Sequence, residues 1–73
     1  MKNELLEIFS IIFNKTFKEN EVISKQSEEN WDSLKHIELI MAIEEEFEIT
    51  FNPEEIPELD SFDKILQKIE ELK

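Results

Sequence analysis

The chain has 73 residues, with 19 acidic against 8 basic side chains, a net charge of −11, one histidine, two prolines, and neither cysteine nor glycine. Without cysteine there is no disulfide, and with one histidine no ordinary zinc site, so a domain near the lower size limit must rest on packing its 40% apolar residues. The charge excludes nucleic acid, whose phosphates need clustered Lys and Arg, and disfavours anionic membrane surfaces; its electrostatic counterpart is a basic protein surface.

The first predicted element is a helix from residue 3 to about 17. Leu5, Ile8, Phe9 and Ile12 recur at helical spacing, and Leu6, Phe13 and Phe17 widen the stripe. Glu7, Ser10, Asn14 and Lys15 interrupt it too often for a bilayer span, and it lacks a cleavage site, so a cytoplasmic protein without membrane insertion is expected. Residues 18 to 31 are polar and aperiodic, with Val22 and Ile23 as the expected anchors. A loop this long inside a small domain tends to be functional.

The second helix is predicted from about Ser33 to Glu48, with Asp32 as its N-cap. Glu48 to Phe51 alternates like a strand but has no partner strand, so a loop is expected. A short third helix follows from Asn52 as cap, Pro53 at the first helical position and Glu55 three residues after the cap, and Pro57 ends it within about a turn. The fourth begins at Asp60 or Ser61 and continues to the end, with Phe62, Ile65, Leu66, Ile69 and Leu72 as its core stripe. The expected architecture is one all-α domain over residues 1–73. It is a small four-helix bundle of three longer helices and one short third helix, with a long first loop and no second copy required.

The second helix carries two apolar stripes. Leu39, Ile40, Ile43 and Phe47 share one side, which is wide enough to pack a core. Leu34, Ile37 and Met41 form another, which an ordinary three-helix arrangement would bury and a docking surface would expose. Glu38 and Glu45 edge that second stripe on one side and Glu44 and Glu48 on the other, with only Lys35 nearby to balance them. A narrow apolar strip with an acidic rim suits partners that present hydrophobic and basic groups. At the N-terminal end of the helix stands a serine, Ser33, beside Asp32 and Leu34.

The segment Trp31-Asp-Ser-Leu-Lys-His-Ile-Glu-Leu-Ile-Met-Ala-Ile-Glu-Glu-Glu-Phe47 resembles the prosthetic-group site of acyl carrier proteins. Length, helix order and loop lengths match that family over nearly the whole chain, while the specific match is confined to residues 31–51. The resemblance implies a non-catalytic carrier. Ser33 would attack the phosphorus of coenzyme A, the rest of coenzyme A would leave, and the serine would keep a covalent 4′-phosphopantetheine arm, whose thiol holds acyl or aminoacyl groups as thioesters. It further implies that Asp32 supports attachment by a magnesium-dependent phosphopantetheinyl transferase. Leu34, Ile37, Glu38, Met41, Glu44 and Glu45 would then be read by acyl- or aminoacyl-loading and acyl-transferring enzymes with basic docking patches. Fatty-acid-synthesis carriers usually have a glycine and a small residue before Asp-Ser-Leu. Asn30 and Trp31 stand there instead, pointing to a specialised carrier, with Trp31 expected to clamp the long loop onto the bundle.

The alternative is an unmodified acidic helical interaction module. A serine hydrolase is a poor competitor: His36 lies three residues onward on the same helix, too constrained for a triad, and is expected to be partly exposed. No metal site is expected, since no Asp-x-Asp-x-Asp-Gly loop is present.

Overall fold

Asn14 decides where the first helix stops. In the computed structural model, which describes residues 2–73, α1 runs Lys2–Phe13, and Asn14 turns left-handed at φ 53°. The Lys15 amide then donates to the Ser10 carbonyl at 3.2 Å, a Schellman closure that satisfies an orphan carbonyl at the helix end. The helix therefore falls short of residue 17, and Phe17 enters the core from the loop instead. Asparagine is one of the few non-glycine residues that accept this conformation readily, and this chain has no glycine to use.

Helix α2 spans Ser33–Phe47 and ends the same way. Glu48 is left-handed at φ 55°, and the Ile49 amide reaches the Glu44 carbonyl at 3.2 Å. Helix α3 spans Phe62–Leu72, with the Ser61 hydroxyl accepting from the Lys64 amide at 3.2 Å as its N-cap. Of the two expected caps, Ser61 holds that place.

The expected third helix is only a 3₁₀ turn, Ile56–Glu58. Its bonds run three residues back, from the Glu58 amide to the Glu55 carbonyl at 2.9 Å and from the Leu59 amide to the Ile56 carbonyl at 3.2 Å. Pro57 has no N–H to donate to the Pro53 carbonyl, so an α-helix begun at Pro53 cannot continue through it. Asn52 does open a turn, but its side-chain oxygen accepts from the Glu54 amide at 3.1 Å, two residues on. The described residues are thus all-helical, with three helices, one 3₁₀ turn and no strand among them. No described helix is long and apolar enough to cross a membrane.

The core is built around Phe9. Its ring lies 5.1 Å from that of Phe62, 5.7 Å from Trp31, 5.8 Å from Phe13 and 6.3 Å from Phe17, mostly edge-to-face. Leu39 and Ile43 of α2 and Ile65 and Ile69 of α3 complete it, all fully buried. The long loop is tied down by its own anchors. Ile23 is buried, the Phe62 amide donates to the Ile23 carbonyl at 2.9 Å, and the Lys25 amide donates to the Asp60 carbonyl at 2.8 Å. Val22, the other expected anchor, is exposed instead, and Leu72 at the end of the α3 stripe is half exposed.

Ion pairs offset part of the charge: Lys15–Glu28 at 3.1 Å, Lys35–Glu38 at 3.6 Å, Lys64–Asp60 at 3.0 Å and Lys68–Glu55 at 2.6 Å. A net charge of −11 still leaves the folded chain repelling itself, and salt screens that repulsion. The melting temperature is therefore expected to rise when sodium chloride is added to a low-salt buffer. A melting temperature that stays constant or falls in a calorimetric salt series contradicts this.

Candidate functional site

The site begins with the cap of α2. Asp32 has extended backbone, φ −97° and ψ −174°, and its Oδ1 accepts from the Lys35 amide at 2.8 Å. The Asp32 carbonyl accepts the His36 amide at 2.9 Å, which starts the helix. The carboxylate is thereby fixed beside the first turn, and its negative charge complements the positive end of the helix dipole.

Ser33 is then the first helical residue. It is exposed, and no hydrogen bond to its hydroxyl is found among the described residues. Because Asp32 performs the capping, the Ser33 side chain has no structural duty. The backbone N–H groups of the first turn and the helix dipole favour an anion attached there. The residues present thus suit a phosphodiester linked through Ser33 Oγ.

The second apolar stripe is on the surface. Leu34, Ile37 and Met41 are 69%, 54% and 63% exposed, while Leu39, Ile40, Ile43 and Phe47 on the opposite side are buried. The strip runs along α2 from the turn that carries Ser33, and Glu38, Glu45 and Glu48 are exposed along it. The structure brings seven of the eight sequence-predicted site residues to this surface.

Glu44 is the eighth and has a different environment. It is half-buried, and its Oε2 accepts from the Phe51 amide at 2.8 Å, holding the turn after α2 against the bundle. Its carboxylate is a fastening of the fold as well as a member of the acidic set.

His36 departs furthest from expectation. It is buried, 8% exposed, where a partly exposed residue was expected. Trp31 Nε1–H donates to His36 Nδ1 at 2.9 Å, and His36 Nε2 lies 2.7 Å from the Ile56 carbonyl oxygen. The indole and imidazole rings lie within 26° of parallel and meet edge to edge through this bond, with centroids 5.9 Å apart. Helical phase could have indicated this, because His36 stands three residues before Leu39, four before Ile40 and seven before Ile43, on the core side of α2. Its polarity suggested the surface. Trp31 itself is buried and clamps the loop onto the bundle, as its aromatic bulk in a polar stretch implies.

Among the described residues there is no group of three or more His, Asp or Glu side chains arranged to hold a metal ion. No family model matches the chain, and no curated protein matches it.

Proposed function

We propose that the protein is an acyl carrier: Ser33 bears a 4′-phosphopantetheine arm, and α2 is the surface by which partner enzymes find it. The observation that carries this reading is the exposed Leu34–Ile37–Met41 strip, which starts at a free serine hydroxyl on a helix N-terminus capped by a different residue. A serine recruited only for the fold would hold the cap itself, and an apolar stripe recruited only for the fold would be buried.

The chain's own residues divide the work. Asp32 fixes the start of α2 and keeps a carboxylate beside the attachment point, where it supports the magnesium-dependent transferase. Ser33 supplies the nucleophilic oxygen, and the transferase supplies the base, since the one histidine is buried with both ring nitrogens engaged. When attached, the arm contributes a thiol on which acyl or aminoacyl groups travel as thioesters. Leu34, Ile37 and Met41 offer apolar contact, while Glu38, Glu45 and Glu48 meet basic groups of the partner. Trp31 before the Asp-Ser-Leu sequence favours a specialised carrier over one dedicated to fatty acid synthesis. Incubation with coenzyme A, magnesium and a broad-specificity phosphopantetheinyl transferase tests the proposal. The intact mass rises by one phosphopantetheine if it is right and stays unchanged if the chain is an unmodified interaction module.

The acids also give a graded prediction. Glu38→Lys and Glu45→Lys, both at exposed positions, are expected to slow loading by roughly tenfold or more at low salt and leave the fold intact, because rim charges act mainly on association rate. Glu44→Lys differs: it removes the acceptor for the Phe51 amide and is expected to cost about 1–3 kcal/mol of stability. Loading kinetics unchanged by the first two substitutions, measured against ionic strength, contradict the docking assignment.

A further inference from the structure

The buried pair of Trp31 and His36 joins three segments beside Ser33. Trp31 belongs to the long loop, His36 to the first turns of α2, and Ile56 to the 3₁₀ turn. The imidazole accepts from the indole N–H on one side and donates to a backbone carbonyl on the other. That arrangement requires one protonation state. Nδ1 must be bare to accept from Trp31, and Nε2 must carry the hydrogen that goes to the Ile56 oxygen, which is the neutral Nε2–H tautomer.

A second proton can only enter at Nδ1. It would then point at the Trp31 N–H, setting two donors against each other in a buried site, and the bond of 2.9 Å would be lost. The Nε2–H bond to Ile56 would survive, since a charged donor strengthens it. The two ends of this chain of bonds therefore respond differently to acid: the bond to the loop is lost and the bond to the turn holds.

The surrounding charges leave that logic in place. On its own helix, Asp32 holds the Lys35 amide, and the Lys35 side chain reaches Glu38. On the loop, Glu28 is held by Lys15. On the 3₁₀ side, Glu55 and Glu58 act on Lys68. At the entry to α3, Asp60 is close enough to register a charge on His36, but its carboxylate is engaged by Lys64 at 3.0 Å, a hydrogen bond that holds it below the usual carboxylate range. No carboxylate is hydrogen-bonded to the ring, whose two nitrogens face an N–H donor and a carbonyl.

We infer that Trp31 and His36 form a proton-operated latch at the Ser33 end of α2, closed while the imidazole is neutral and released from the loop when it gains a proton. The inference rests on the carrier reading only for its consequence, a change in how the loop flanks Ser33, and stands on its own as a property of the fold.

The chain has one tryptophan and one histidine, so each half of the latch can be watched without substitution. Nitrogen-15 spectra of the native protein at neutral pH are expected to show the Nε2–H tautomer. On acidification, Trp31 emission should shift to the red as the nitrogen-15 signals of His36 report the gain of its proton. Quenching of Trp31 by acrylamide should rise several-fold in step with His36 protonation and reverse on neutralisation. In His36→Gln the emission should not follow pH over the range in which the native chain responds. The inference is overturned if Trp31 emission and quenching stay constant while His36 takes up its proton. It is also overturned if His36→Gln shows the native response, or if His36 gains its proton only as the whole domain unfolds. Both spectra are read on the native chain, so a His36→Gln variant that fails to fold does not remove the test. Absence of modification by the transferase at every pH would refute the carrier reading and leave these spectra to decide the latch.

Discussion

Ser33→Ala is expected to abolish loading by a phosphopantetheinyl transferase completely while leaving stability within about 0.5 kcal/mol of the native chain. The two halves of that expectation have separate causes. Chemistry is lost because the oxygen that must bond to phosphorus is gone, and no other serine stands free at a capped helix start. Ser61 is itself a cap, and Ser24 and Ser27 hydrogen-bond to each other in the long loop, while Ser10 donates to the Leu6 carbonyl. Stability is kept because Asp32, not Ser33, caps α2, and alanine at the first helical position is a favourable helix former. Intact mass and thermal melting on the same sample read both halves. Residual loading of Ser33→Ala contradicts the assignment of the attachment point, and a large loss of melting temperature contradicts the division of roles between Asp32 and Ser33.

Phe9→Ala is expected to remove a large part of the protein's stability. Its ring is fully buried and meets Phe13, Phe17, Trp31 and Phe62, so removal empties the place where α1, the long loop and α3 converge. Truncating a buried phenylalanine costs about 3–5 kcal/mol. A domain of 73 residues has only about 4–11 kcal/mol in total, so one side chain accounts for much of the margin. The urea midpoint should fall by roughly a third or more. Met41→Ala, on the exposed strip, should move the midpoint little, because there is no cavity to create. A Phe9→Ala midpoint near the native value contradicts the placing of the core.

Helix α2 was legible because two physical signals coincide there. A period of 3.6 separates Leu39, Ile40, Ile43 and Phe47 from Leu34, Ile37 and Met41, and a capping aspartate marks the start. What the pattern left open was which stripe is buried, since two flanking helices could have covered both. The structure covers one. Boundaries set by backbone conformation were harder to read. Asn14 ends α1 inside a continuing apolar stripe, because a left-handed residue stops a helix whatever the hydrophobicity beyond it. The Asn52-Pro53 start signal is local, whereas the constraint that turns the segment into a 3₁₀ turn comes from Pro57 further on.

Pairings made in space were the least legible. Glu44 has the spacing of a rim acid, yet the amide it accepts from is seven residues away, in a turn whose path only the fold defines. His36 is polar, and its burial depends on Trp31 and on a carbonyl twenty residues onward being brought to its two nitrogens at once.

The most direct measurement is site-resolved mass spectrometry of the native chain after incubation with coenzyme A, magnesium and a broad-specificity phosphopantetheinyl transferase. The carrier account predicts one phosphopantetheine, on Ser33, with Ser10, Ser24, Ser27 and Ser61 unmodified. A chain that remains unmodified, or an adduct on any residue other than Ser33, would contradict it.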